Sequence, residues 1–106
     1  MGFRWLYHLR VATLDASWPY APPSLATEGF VHCSFRDAVK GSARLYFPAD
    51  ARLEILRIDP RRLDVALVIA DTPRGPMPHV MGAIPESAVV EVLTPFALES
   101  APDAID

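Results

Sequence analysis

The stretch Glu28-Gly29-Phe30-Val31-His32-Cys33-Ser34 decides the fold, because it joins a glycine turn, a short strand and a polar pair. Side chains of a strand alternate between its two faces. His32 and Ser34 therefore share one face, while Val31 and Cys33 share an apolar face. We predict that the apolar face packs on the core and that His32 and Ser34 look away from it. Gly29 is predicted to serve a tight turn into this strand.

The other two histidines occupy comparable places in the chain. His8 lies in the strand-like segment Phe3–Val11, where alternation puts it on the polar side with two arginines. His79 follows a proline in a third apolar segment near the end of the chain. We therefore predict that His8, His32 and His79 line one concavity, with Cys33 buried on the opposite side of its strand.

Short strands outnumber helices in the predicted secondary structure. The predicted strands are Phe3–Val11, Phe30–Cys33, Leu53–Ile58, Val65–Ala70, Val80–Ile84 and Ala88–Leu93. The segment Val65–Ala70 is apolar on both faces, which predicts a central strand. Thr72–Pro78 is predicted to be a loop because of its prolines. This pattern is typical of a compact α+β domain with a split, mostly antiparallel sheet and few short helices.

Two helical segments are predicted between the strands. Thr13–Trp18 is a short helical turn that ends at a proline cluster, because helices do not pass through prolines. Ser34, with Asp37 three residues later, resembles a capping box and predicts a helix as far as Leu45 or Tyr46. A helix N-terminus offers N–H groups to anions, so Ser34 is a predicted cap and also a candidate phosphate contact.

Length and composition limit the organisation of the chain. With 106 residues, 51% of them hydrophobic, the chain is long enough for one core and one domain, which we place at residues 1–96. The acidic, aperiodic segment 97–106 is predicted to be a frayed tail. A formal charge of −3 argues against nucleic-acid binding. Oligomeric state is left open by the sequence.

Cysteine usage and hydropathy bear on the compartment. The single cysteine cannot form an internal disulfide, which favours a reducing cytoplasm. No apolar run approaches the roughly 20 residues that span a bilayer, and the N-terminus lacks the apolar stretch of a signal peptide. We expect a soluble, cytoplasmic protein without a membrane partner.

Known catalytic and metal-binding motifs are absent from the sequence. It contains no glycine-rich dinucleotide loop and no Walker-type loop. Three histidines suffice for zinc, but their spacing matches no short ligand motif, so no metal site is predicted. Each histidine taken singly also has an ordinary interpretation as a hydrogen-bonded structural residue, and Asp71 with Arg74 has one as a surface ion pair.

Several motifs together resemble a known family. They are Tyr7-His8-Leu9, Pro23-Ser24-Leu25, Glu28 to Ser34, Asp71 with Arg74, and Pro78-His79-Val80-Met81-Gly82. In this order they look like the DUF952 family, small bacterial proteins of unknown biochemical role. The resemblance runs from about Leu6 to about Phe96 and implies a fold like that of ADP-ribosyltransferases.

The resemblance also implies a site. In such folds His8 would contact the adenosine ribose of NAD, His32 with Ser34 would lie beside the nicotinamide ribose, and Arg74 would hold a phosphate. His79 completes the implied ligand-binding set. Candidate catalytic residues are His8, His32 and Asp71, and the position of Glu91 on the last strand suggests a further acid.

Three functions stay open at this point, because fold alone does not fix function. The first is an ADP-ribosyltransferase-like enzyme that transfers from NAD. The second is a non-catalytic module that binds a nucleotide or another phosphorylated small molecule. The third is a protein-interaction domain without a ligand.

Overall fold

The computed structural model describes residues 2–13 and 17–106. Its strands are β1 (Phe3–Arg4), β2 (Leu6–Val11), β3 (Val31–His32), β4 (Leu53–Ile58), β5 (Leu67–Thr72), β6 (Gly75–Val80), β7 (Val89–Leu93) and β8 (Ala104–Ile105). The helices are α1 (Pro23–Glu28) and α2 (Val39–Tyr46), with short 3₁₀ turns at Arg36–Ala38, Pro60–Arg62, Glu86–Ala88 and Pro95–Ser100. The α+β prediction with few short helices is confirmed.

Two small antiparallel sheets form the body of the protein. One has the order β2-β4-β7 and the other β3-β6-β5, while β1 pairs with β8. Tyr7 and Ser34 join the two larger sheets through a backbone bridge, in which each N–H donates to the other carbonyl, at 2.9 and 2.7 Å. The bridge brings His8, which follows Tyr7, and His32, which lies two residues before Ser34, to the junction of the sheets.

Strand β2 is buried on both of its faces. Leu6 belongs to one core cluster, with Val31, Leu56 and Val80, whereas Tyr7 belongs to a second cluster. Adjacent residues of a strand point to opposite faces, so both faces of β2 are covered. The strand predicted over Phe3–Val11 is also interrupted at Trp5, and its first part pairs in a different sheet.

Strands β5 and β6 form a hairpin where the sequence predicted a loop over 72–78. Thr72 pairs with Gly75, and Pro73 and Arg74 form the connection, with Gly75 at a φ of 95°. Pro78 lacks an N–H, and the side of β6 on which this donor is missing faces β3. On the same side its carbonyl accepts from the Cys33 N–H at 3.1 Å, so one backbone bond is kept there and Pro78 is tolerated inside β6.

The position of two predicted strands also differs. The predicted central strand 65–70 is observed as β5, an edge strand with Val68 and Ile69 exposed. The predicted strand 80–84 is observed only as the end of β6 at Val80 and an isolated bridge between Ile84 and Tyr20. An apolar run does not distinguish a central strand from an edge strand whose side chains stay partly exposed.

Segment 97–106, predicted as a frayed tail, packs against the body of the protein. Leu98 is buried, and β8 pairs with β1. The Tyr7 hydroxyl donates to the Pro102 carbonyl, and Arg4 forms an ion pair with Asp103 at 2.8 Å. These contacts join residues far apart in sequence, so local composition gave no sign of them.

The helical turn predicted over Thr13–Trp18 falls on residues 14–16, which lie outside the described residues. In the described part of the chain, no helix combines the length and the apolar character needed to cross a membrane.

Candidate ligand-binding cleft

A cavity of about 760 Å³ opens where β2, β3, β6 and α2 meet. His8, His32 and His79 all contribute to its wall, so the predicted shared concavity is present. Its other polar lining residues are Tyr7, Glu28, Ser34, Ser42, Tyr46, Thr72 and Arg74. Cys33 contributes to the same wall although it is buried in the core cluster, and burial raises the pKa of its thiol to about 12. The thiol is therefore unreactive at neutral pH.

His8 is a buried, fully hydrogen-bonded member of this wall. Its Nδ1 lies 2.6 Å from the His32 carbonyl, which only accepts, so Nδ1 carries the proton. Its Nε2 then accepts from the Tyr20 hydroxyl at 2.7 Å. Tyr20 is fixed over His8 by its backbone bridge to Ile84. Burial lowers the pKa of His8 to about 4, so the ring is neutral at pH 7.

The ligand-binding role of His8 stays a prediction, and the structure shows its ring already bonded within the protein. Only 7% of the residue is exposed, and both ring nitrogens are used within the protein. The alternation placed His8 on the correct face of β2, but Tyr20 covers that face. His8 holds the junction of the two sheets together, and its nitrogens are not available to a ligand without a rearrangement.

A cluster of rings forms the rim of the cleft. His32 and His79 are paired in register across β3 and β6, with ring centroids 5.8 Å apart. His79 stacks on Phe30 at 3.9 Å, and His32 Nε2 contacts a Glu28 carboxylate oxygen at 2.8 Å. Burial, and next the neighbouring His32, lower the pKa of His79. This rim presents imidazole faces and edges to the cavity opening.

The deeper polar feature is a pair of buried hydroxyls linked to a guanidinium. Ser34 and Ser42 lie 2.8 Å apart at their Oγ atoms. Arg74 Nη2 donates to Ser42 Oγ at 3.0 Å and to the Ala38 carbonyl at 3.4 Å. The sequence predicted Arg74 in the site, and the structure brings it to this wall.

The predicted N-cap role of Ser34 is wrong. A 3₁₀ turn at Arg36–Ala38 precedes α2, and Ala38 is the N-cap of α2, without a side-chain cap bond. The Ser34 hydroxyl bonds to Ser42 instead. The spacing to Asp37 resembled a capping box, but the backbone bridge to Tyr7 keeps Ser34 in an extended segment.

We expect Ser42→Ala to lower the free energy of unfolding by about 1–2 kcal/mol, because it leaves the buried Ser34 hydroxyl without its partner. Ser34→Ala should cost a similar amount. Because the two residues share one hydrogen bond, the double variant should cost clearly less than the sum of the single variants. Urea denaturation of the three variants measures this. Strictly additive losses would contradict a direct hydroxyl pair.

The acidic candidates lie outside the cleft. Asp71 is exposed on β5, one residue before Thr72, and alternation turns it away from the cavity that Thr72 lines. Its predicted ion pair with Arg74 is absent from the ion pairs of the described residues. Glu91 pairs with Arg57 at 3.1 Å on another sheet. Neither carboxylate reaches the cavity.

Several residues of the cleft were missed from the sequence, among them Glu28, Ser42 and Tyr46. Glu28 directly precedes the Gly29–Ser34 stretch and lies four residues before His32. This spacing could have indicated their contact from the sequence. Ser42 and Tyr46 lie four residues apart on α2 and so share a helix face, but nothing in the sequence indicated which face meets the cavity. In the described part of the chain, no three histidine, cysteine or acidic side chains are grouped closely enough for a metal ion.

Comparisons with known proteins give a family and a fold. The model of the DUF952 family, described as a protein of unknown function, matches residues 9–92. Two crystal structures of protein CC0527 from Caulobacter crescentus, one of them a double methionine variant, are similar to this chain. They share 18% and 17% sequence identity, with TM-scores of 0.70 and 0.69, over 85% of this chain and 84% of CC0527. No curated protein matches the chain.

Proposed function

Because this chain belongs to the DUF952 family, whose function is unknown, we propose a function from the cleft itself: the protein binds a small anionic molecule that carries a planar ring. Nucleotides such as ADP-ribose and NAD are the class that combines these features. The observation that carries the proposal is Arg74, whose guanidinium lies on the wall of an aromatic cavity and has no carboxylate partner among the described residues.

Arg74 supplies the anion-binding end of the cleft. The ion pairs of the described residues include none to Arg74, and its hydrogen bonds go to uncharged oxygens of Ser42 and Ala38. A guanidinium presents five donors in a planar fork that suits phosphate oxygens. Donors of Arg74 that these two contacts leave unused are therefore available to a phosphate.

His32 and Tyr46 supply the ring-binding end. Their ring centroids lie 6.4 Å apart across the cleft, at an interplanar angle of 43°. A planar ring inserted between two others needs about 7 Å, because stacked atoms lie about 3.5 Å apart. Tyr46 is 62% exposed and is free to adjust by this small amount. Arg74 lies 5.9 Å from the same tyrosine ring, so the two ends adjoin.

Binding without turnover is favoured over catalysis. Transfer from NAD needs a group that stabilises positive charge on the ribose, commonly a carboxylate. Glu28 is the carboxylate that lines the cavity, and it is already bound to His32 at the rim. That contact is also the observation that favours ADP-ribosyl transfer as the second candidate, because a carboxylate beside an imidazole is an ordinary acid–base pair.

Calorimetric titration with ADP-ribose tests the proposal. Arg74→Ala should weaken binding at least tenfold, because hydrogen bonds to charged groups contribute about 1.5–3 kcal/mol. The matched control is Arg44→Ala, which removes the same charge from an exposed position of α2 outside the cavity wall and should change affinity less than twofold.

Two results would change the proposal. If the wild-type protein binds neither ADP-ribose nor NAD at millimolar concentration, the nucleotide class is wrong and the interaction-domain alternative gains. Release of nicotinamide from NAD, measured by chromatography and lost in Glu28→Gln, would replace simple binding with the transfer reaction.

A further inference from the structure

Gly41 occupies an unfavourable place for a glycine. It lies within α2, where glycine is less favourable than alanine because of the backbone entropy that it loses on folding. Its backbone conformation does not require glycine, since the glycines with positive φ in the described chain are Gly29 and Gly75. A reason for the absence of a side chain must therefore be sought in its surroundings.

The Arg74 guanidinium lies directly beside the position that a Cβ on residue 41 would take. A Cβ built on Gly41 would lie 3.1 Å from Arg74 Nη2, closer than ordinary van der Waals contact. The same nitrogen bonds to the carbonyl of Ala38, the N-cap residue of α2, and to Ser42 Oγ, so its two partners flank Gly41 in the chain. The guanidinium thus rests on the helix surface at Gly41 and is held on both sides of it.

We infer that Gly41 is a positioning residue for the anion-binding end of the cleft. The helix surface at Gly41, which we call the seat, fixes the Arg74 guanidinium against α2. The effect of Gly41 on ligand binding rests on the proposed function, but the contact between Gly41 and Arg74 needs no ligand. Because the backbone of α2 defines the seat, the guanidinium is held beside the Ser34–Ser42 hydroxyl pair before a ligand arrives. Such preorganisation favours binding, since less side-chain freedom is lost.

Gly41→Leu tests the seat through ligand binding, and Gly41→Ala is the control for stability. Gly41→Ala crowds Nη2 slightly, and Gly41→Leu fills the space that the guanidinium occupies. We expect the melting temperature of Gly41→Ala to be unchanged or higher. We expect Gly41→Leu to bind ADP-ribose at least fivefold more weakly while its affinity for uncharged adenosine stays within twofold of wild type. A general structural defect would lower both affinities, so equal losses would overturn the inference, as would unchanged affinity for ADP-ribose.

A stability cycle tests the seat without a ligand. Gly41→Leu is measured by urea denaturation in the wild-type and the Arg74→Ala backgrounds. If the guanidinium fills this space, Gly41→Leu should be more favourable for stability once Arg74 is removed. An identical effect in both backgrounds would show that the two residues do not meet. A wild-type protein that fails to bind ADP-ribose, together with a clear coupling in this cycle, would reject the proposed function and keep the seat.

Discussion

His8→Ala is expected to lower the free energy of unfolding by about 3 kcal/mol, a large part of the 5–15 kcal/mol typical of a small domain. The change removes a buried ring, leaves the His32 carbonyl unpaired and takes away the acceptor of the Tyr20 hydroxyl. An unpaired buried polar group costs about 1–3 kcal/mol, and the cavity adds to this cost. Urea denaturation at pH 7 measures the loss.

His8→Asn is the matched control for this prediction. The asparagine amide places an N–H donor close to the position of Nδ1, so the bond to the His32 carbonyl can be kept while the bond to Tyr20 is lost. We expect a cost clearly smaller than that of His8→Ala. A loss below about 0.5 kcal/mol for His8→Ala would instead show that the ring is dispensable to the fold and available to a ligand.

Local periodicity predicted the parts of this fold that depend on local sequence. Leu53–Ile58 is a strand with the predicted bounds, and α2 ends at Tyr46 as predicted. The turn residue Gly29 has a φ of 86° at the end of α1. In each case the side chains and backbone preferences of a few adjacent residues determine the structure.

Periodicity failed where a distant segment covers a surface. The alternation in β2 placed His8 correctly on the face opposite Tyr7, but Tyr20, held by its bridge to Ile84, covers His8 on that face. Likewise, the acidic composition of 97–106 predicted a frayed tail, whereas the segment pairs with β1. The pairing was missed because β1 lies about 100 positions away in the sequence. Contacts of this separation leave no local pattern.

The candidate site also has a part that local sequence predicted and a part that depends on distant contacts. His32, His79 and Arg74 line the cleft as the strand faces and the resemblance indicated, although their roles in binding stay a prediction. Ser34 is present with a different partner, because the backbone bridge to Tyr7 overrides the capping pattern. The seat for Arg74 on Gly41 depends on how the β5–β6 hairpin docks on α2, which no short motif encodes.

Acidification is expected to begin to destabilise the protein at about pH 6.5, before carboxylates start to titrate. The pKa of His8 is about 4 in the folded protein and about 6.5 when exposed, so between these values the unfolded chain binds more protons. The contribution of the neutral, buried ring is complete above pH 6.5 and is lost as the pH falls toward 4. The lowered pKa of His8 predicts a loss on the order of 3 kcal/mol across this window.

Other titrating groups differ from His8 in the pH range in which they act or in the size of their effect on stability. The pKa of Asp59 is lowered by its hydrogen bond to Arg61, so its contribution is lost only below its ordinary value of 3.8. His79 also has a lowered pKa and adds a loss of the same sign in the same window as His8, but it is only half-buried at the rim, so its share should be smaller. Urea denaturation at pH 7, 5.5 and 4.5 follows the sum of these effects.

His8→Asn identifies the share that belongs to His8, because asparagine does not titrate. The variant is less stable at pH 7, yet its stability should fall much less than that of wild type between pH 6.5 and 4.5, so the two curves converge. His79→Gln should keep most of the wild-type slope. If wild type and His8→Asn lose stability in parallel, the buried imidazole does not control the acid response, and the neutral hydrogen-bonded arrangement of His8 with Tyr20 and His32 is refuted.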